Sequence, residues 1–297
     1  MAFWPKLGWI ALAVLLAACG NGPASSDELR VVATTGILGD VVGSMVEDDA
    51  TLDVLIPNGA DPHDYRASAQ QAASILTADL VVANGLLLEE GLLDLLAQAE
   101  ADGVRVLQVG DSLDPIMRGQ SEIPDPHFWL DPMRMADAAT LIASELITKS
   151  PDVDWNQRAS NYAAELQTAH QEITATLSTV PEDQRKLVTN HDALAYFASR
   201  YGFEIVGTVI PGGSGLADPS PAELTALVEI IRREDVKAIF TETTESSSLA
   251  QELADEFGGE VSVVELYTGS LGEPGSGADT LVGMLVSNAT LIAEALS

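Results

Sequence analysis

Of its 297 residues the chain spends one on cysteine, four on histidine and fourteen on lysine and arginine together. The single thiol, Cys19, excludes both an intramolecular disulfide framework and a thiolate metal cluster. Forty-five acids against fourteen bases leave a formal charge of −31. No basic stripe exists to neutralise phosphates, which excludes nucleic acid as a partner. The acid surplus reads as a solvated surface; its diffuse negative field attracts cations without choosing among them. Aromatics are only 5% of the chain. Alanine, leucine and valine carry the apolar content, which suits helices packed on parallel strands. The length supports a substantial core, in one large domain or two of ordinary size.

What the chain does have begins at its amino terminus. Residues 1–18 carry one positive charge, Lys6, followed by an uncharged run over 7–18. That run is shorter than the roughly 20 residues of a comfortable membrane span and follows the plan of a secretory signal. It ends in Leu16-Ala17-Ala18-Cys19-Gly20, which resembles a bacterial lipobox, so a signal peptide over 1–18 and lipidation of Cys19 are expected. The polar, Gly/Asn/Pro/Ser-rich stretch 19–28 reads as a flexible tether.

From residue 29 onward, strand and helix patterns alternate. Short apolar runs at 29–35, 51–56, 79–83 and 104–109 read as strands, the third apolar throughout, as in a strand buried on both faces. Helical spacing follows at 37–46, 68–77, 89–101 and 132–149. A second series places strands at 186–189, 204–210, 236–240 and 261–266, with helices at 192–201, 221–233, 246–257 and 278–296. Between the series, Ser150-Pro151-Asp152 has the form of a helix start, and no Pro or Gly follows until Pro181. This predicts one helix over 150–181. The fold class is therefore α/β: two (βα)4-type lobes with parallel sheets, 29–149 and 182–297, joined by one long rigid helix.

Three of the four histidines sit at the carboxyl ends of strand patterns, where open α/β sheets place their ligands. His63 lies in Gly59-Ala60-Asp61-Pro62-His63-Asp64-Tyr65. His127 lies in Asp125-Pro126-His127-Phe128-Trp129-Leu130-Asp131-Pro132, and His191 follows Val188-Thr189-Asn190. Two stand beside Asp-Pro turns, which set the backbone firmly. These imidazoles and the late carboxylate of Asp279 are candidates to converge on one divalent transition metal. Imidazole suits zinc, copper, iron and nickel, and carboxylate adds tolerance for manganese. Four protein ligands would close the coordination sphere, the mark of carriage over catalysis. Asp279 has a second reading, as an acid favouring the dipole of the last helix. Asp61, Asp131 and Asp192 are placed to hold the outer ring nitrogens of the ligands, or to cap the following helices. Glu242 ends a strand near the same place, and Trp129 either walls the site or packs in the core. His170, among glutamines inside the long helix, reads as a solvated residue.

Together these stretches resemble the solute-binding lipoproteins of ABC metal importers, the zinc/manganese class. The most specific pieces are the runs around His63 and His127, and His191-Asp192-Ala193-Leu194-Ala195-Tyr196-Phe197 with Tyr201-Gly202. The 240–242 and 279–288 stretches also match. The resemblance implies ligands at His63, His127, His191 and Asp279, with metal held between two lobes. It implies Zn²⁺ or Mn²⁺ as cargo, a membrane permease and its ATPase as partners, a monomeric receptor, and a lipid anchor on the outer side of the cytoplasmic membrane. The chain departs from zinc-specific members in having no histidine in the 111–125 loop. It departs from many manganese members in carrying His191 where they have glutamate. Its 211–219 loop is also richer in glycine. Ligand softness favours zinc. Two rival functions use the same residues: a metal-dependent hydrolase with an open coordination position and Glu242 as base, and a surface adhesin with an incidental metal.

Overall fold

The computed structural model describes residues 1, 28–118, 123–210 and 219–297. The expected signal peptide, Cys19, most of the tether and much of the 211–219 loop lie outside the described residues.

Chain order sets two successive α/β series. The first is β1 (Leu29–Ala33), α1 (Gly36–Val46), β2 (Ala50–Val54), α2 (Ala69–Leu76), β3 (Leu80–Ala83), α3 (Leu93–Ala101) and β4 (Arg105–Gln108). The helices α4 (Pro132–Lys149) and α5 (Trp155–Leu177) follow. The second series is β5 (Lys186–Thr189), α6 (Ala195–Tyr201), β6 (Glu204–Thr208), α7 (Pro221–Glu234), β7 (Ala238–Glu242), α8 (Ser248–Asp255), β8 (Ser262–Leu266) and α9 (Leu281–Leu296). The strands form two four-stranded sheets with the same order of connection, β2-β1-β3-β4 and β6-β5-β7-β8. Every named strand pair is parallel.

The period of two along each strand divides the core into layers. In β1 and β3, Val31, Ala33, Leu80 and Val82 face inward, while Val32, Val81 and Ala83 face an outer layer under α2 and α3. In the second sheet, Leu187, Ala238, Phe240 and Leu266 face inward, and Val188 and Ile239 face a separate outer layer. The two inward layers form one continuous cluster, which also takes in Trp129, Trp155, Tyr162, Leu166, Ile173 and Leu285. Asp40 of α1 ties this layer together, accepting from Tyr162 Oη of α5 at 2.9 Å and from the Leu281 amide of α9 at 3.1 Å. The lobes are thus welded by a common core.

The helix predicted over 150–181 is shorter, 23 residues over Trp155–Leu177. Ser150 ends α4, its amide donating to Leu146 O at 2.8 Å, and Asp154 caps α5 by accepting from the Gln157 amide at 3.1 Å. The cause is Trp155. Its ring is fully buried and its Nε1 donates to Ser150 O at 2.7 Å, so the chain turns at 151–154 and does not run on as helix. The helix expected from residue 192 starts only at Ala195, because His191 and the residues after it form the turn leaving β5.

A shared inner layer predicts one cooperative unfolding transition for both lobes, with tryptophan fluorescence and far-UV circular dichroism coinciding in a urea titration. Trp155→Ala should shift both probes together by about 3–5 kcal/mol, the usual cost of deleting a buried tryptophan.

Candidate metal centre

Each of the three histidines is delivered by a rigid local device, though His127 lies 19 residues beyond the end of β4 (Gln108) and not at a strand end. His63 follows β2 in a turn that opens at Gly59, whose φ of 83° lies in the left-handed region. The Gly59 amide donates to Ser270 Oγ at 2.7 Å, which anchors this turn to the other lobe. The Asp61 carboxylate then accepts from the His63 amide at 2.8 Å. His127 repeats the arrangement: Asp125 accepts from the His127 amide at 2.9 Å. Asn84, at the end of β3, donates through Nδ2 to Pro126 O at 3.1 Å and holds that segment against the sheet. His191 follows β5, and the ladder with β7 continues past the strand, the Asn190 amide donating to Phe240 O at 2.8 Å. The pairing of Val188 with Ile239 and Thr189 with Phe240 carries Glu242 to the side of His191. The switch point of this sheet lies between β5 and β7, where ligands gather in such folds.

The three rings meet although they come from sequence positions 64 residues apart in each step. His63 Nε2 lies 3.3 Å from His127 Nε2, and His191 Nε2 lies 3.2 Å from the same atom. All three residues are at most 4% exposed. Two nitrogens each about 2.05 Å from one ion at a tetrahedral angle stand about 3.3 Å apart, and the observed spacing matches. Carboxylates hold the outer nitrogens of two of the rings. His127 Nδ1 is 2.7 Å from Asp125 Oδ1, with both side chains buried. His191 Nδ1 pairs with the buried Glu242, and Glu245 stands 3.8 Å away. A proton on Nδ1 facing a carboxylate leaves the Nε2 lone pair pointing at the common centre.

The electrostatics follow from burial and from these pairs. Burial, then the neighbouring His127 and His191, pushes the His63 imidazole down to about 2. Burial also holds His127 well below the usual histidine range. Burial opposes charge on His191 too, but Glu242, with Glu245 and Asp61 behind it, raises that imidazole above its ordinary value. Glu242 is correspondingly held low by His191 despite its burial. Burial raises Asp125 to about 6. Two of the three rings are therefore neutral donors, and the third shares its proton with a carboxylate.

Asp279 is placed apart from the three histidines. It is exposed on the loop before α9, and its carboxylate accepts from the Gly275 amide at 2.8 Å. The cap of α9 is Thr280, so Asp279 sits at a helix start and is not brought to the histidines. Among the described residues, the group of possible ligand atoms around the three Nε2 atoms contains only those histidines. A second group joins His191, Glu242 and Glu245. Asp61 braces the backbone of His63 and not its ring. Asp131 caps α4 through the Met133 amide at 2.9 Å and pairs with Arg200; it does not hold an imidazole. Asp192 is half-buried and within reach of the Asp125 and Arg118 charges. Trp129 is buried in the shared inner layer beside His127. Its ring stands edge-on 5.1 Å from that of His127, and its buried Nε1 donates to Thr268 O at 2.7 Å. His170 lies away from the site, but its Nδ1 meets Tyr201 Oη at 3.2 Å, so it is not simply solvated. Sequence reasoning missed Asp125 as the partner of a ring. The signal was there: Asp61-Pro62-His63 and Asp125-Pro126-His127 are the same tripeptide, and both aspartates brace the histidine two residues on.

Comparison with known proteins gives the same picture at the level of the whole chain. The family model described as zinc-uptake complex component A, periplasmic, matches residues 31–295. The manganese-binding lipoprotein MntA of Halalkalibacterium halodurans is 29% identical over 294 residues, covering 97% of this chain and 96% of that one. The zinc-binding protein TroA of Treponema pallidum is 29% identical over 289 residues, covering 94% and 93%. The solved structure of periplasmic zinc-binding TroA from Treponema pallidum superposes with a TM-score of 0.84 at 27% identity, covering 91% of this chain and 99% of that one.

In calorimetric titration with Zn²⁺, Glu242→Gln and Asp125→Asn should each weaken binding by about 10- to 100-fold with the stoichiometry kept, as partners of metal-bound imidazoles do. Asp279→Ala should leave both affinity and stoichiometry as they are.

Proposed function

This chain belongs to the family of periplasmic zinc-uptake complex component A, and from that premise we propose that it is the extracytoplasmic metal-capturing component of an ABC importer. It takes a divalent transition metal on His63, His127 and His191 between its lobes and passes it to a membrane permease driven by an ATPase. The observation that carries this is the approach of the buried Nε2 atoms of His63 and His191 to that of His127, at 3.3 and 3.2 Å. Three ring nitrogens turned to one point are costly in a bare protein and favourable around a cation. Zn²⁺ is the preferred cargo over Mn²⁺, because three neutral imidazoles suit the softer ion. The fourth position is left to a water or to a nearby carboxylate.

That open position removes the argument for carriage that four protein ligands would have supplied. Carriage is supported instead by Glu242. A hydrolase needs a free base beside a metal-bound water; Glu242 is committed to His191 Nδ1 behind the ring. The chain acts as a monomer, held by a lipid on Cys19 at the outer face of the cytoplasmic membrane. Among the described residues, no helix is long and apolar enough to cross a membrane.

The test is metal analysis of protein purified without chelator, followed by competition. One Zn²⁺ per chain, not displaced by excess Mn²⁺, is expected; displacement of zinc by manganese would overturn the preference. Acid should weaken binding. His191 is the ring whose charged form the metal-free site favours, so below its titration each ion bound displaces one proton. The apparent affinity then falls by up to about tenfold per pH unit. Equal affinities at acid and neutral pH would contradict the imidazole set.

A further inference from the structure

We infer that Tyr196 and Arg200 form an inter-lobe latch that sets His127 against His191. They are positioning residues, and the inference rests on the site proposed above. Both lie on α6, one helical turn apart and therefore on one face, a few residues after His191 in the second lobe. Both reach the short segment of the first lobe that carries His127, one on each side of it.

Upstream of His127, the buried Tyr196 hydroxyl donates to Asp125 O at 2.7 Å and accepts from the Ile116 amide at 3.0 Å. Asp125 is the residue whose carboxylate holds the His127 ring. Downstream, Arg200 grips Asp131 with two parallel bonds, Nε to Oδ1 at 2.9 Å and Nη2 to Oδ2 at 2.7 Å. Asp131 is nearly buried and caps α4, so the contact fixes the start of that helix as well. The guanidinium of Arg134, the next basic residue along α4, lies 4.8 Å over the Tyr196 ring and holds it in place.

These contacts are made by protein groups alone. The separation of His127 from His191 is therefore set before a cation arrives, and a bidentate arginine pair with a buried hydroxyl bridge resists its widening. The latch acts on how long the ion stays, since release requires the two segments to part. It does not change which atoms bind.

The test uses the full chain with Tyr196→Phe, Arg200→Gln and the double variant. Arg105→Gln serves as control; it removes a comparable two-point arginine pair, with Glu145, remote from the site. Two quantities are read. The first is Zn²⁺ release into excess chelator, with the visible spectrum of the Co²⁺-loaded protein as a check on the donor set. The double variant should release zinc about 10- to 100-fold faster, the range expected when the support of metal ligands is lost. Its stoichiometry and Co²⁺ spectrum should stay those of the parent, and Arg200→Lys should recover part of the loss. The second is hydrogen exchange of the metal-free chain across 116–131, which should speed up in the latch variants and not in the control. Release rates and exchange like the parent's, or equal changes in the Arg105 control, would overturn the latch. A parent chain that takes up no Zn²⁺ would sink the reading of the site, and the exchange measurement would still decide whether the latch exists.

Discussion

Three buried ring nitrogens, with those of His63 and His191 each 3.2–3.3 Å from that of His127, are the constraint on which the rest of this structure turns. Without a cation, these nitrogens crowd one another in a buried place, and only His191, beside Glu242, favours a charge. The protein sustains this by fixing each imidazole from behind. Asp125 takes the Nδ1 of His127, Glu242 takes that of His191, and the turn braced by Asp61 sets the backbone of His63. The buried carboxylates cost solvation in turn, and the neighbouring imidazoles offset it. The site therefore stores its preference for a positive ion in its own construction.

The fold supplies the rigidity this requires. A strand end is a stable mounting point, and parallel sheets bring their strand ends to one side. Here two such sheets share a single inner layer, so their strand ends oppose each other across a narrow gap. The Asp40 junction, the Ser270 bond to Gly59 and the contacts of α6 cross between lobes at separate points.

Much of this was legible in the sequence, and the failures have physical reasons. Strands announced themselves because buried parallel strands are short unbroken apolar runs; β5 and α4 came out at their observed limits. The meeting of the three histidines was legible in part from the rule that strand ends in such sheets gather ligands, which fits His191 directly and His127, far past β4, only through its loop. The start of α5 was misplaced because Ser150-Pro151-Asp152 satisfies local capping chemistry, while the burial of Trp155, a tertiary effect, decides where the helix begins. Asp279 kept two readings because an acid before a helix looks the same in sequence whether it ligates or solvates. Asp125 was missed although its tripeptide duplicates that of Asp61, since nothing local says which of the two aspartates reaches a ring. Arg200 shows no signal in sequence and Tyr196 appears there only as part of the His191 run; their meaning appears only once α6 lies against the His127 segment.

The most direct test of the account is X-ray absorption at the zinc edge of the metal-loaded protein. The account predicts a shell of nitrogen and oxygen donors at about 2.0–2.1 Å with the outer scattering of three imidazoles, and loss of one imidazole from that pattern in His127→Ala. A zinc shell with fewer than three imidazoles in the parent protein, or a pattern unchanged in His127→Ala, would contradict it.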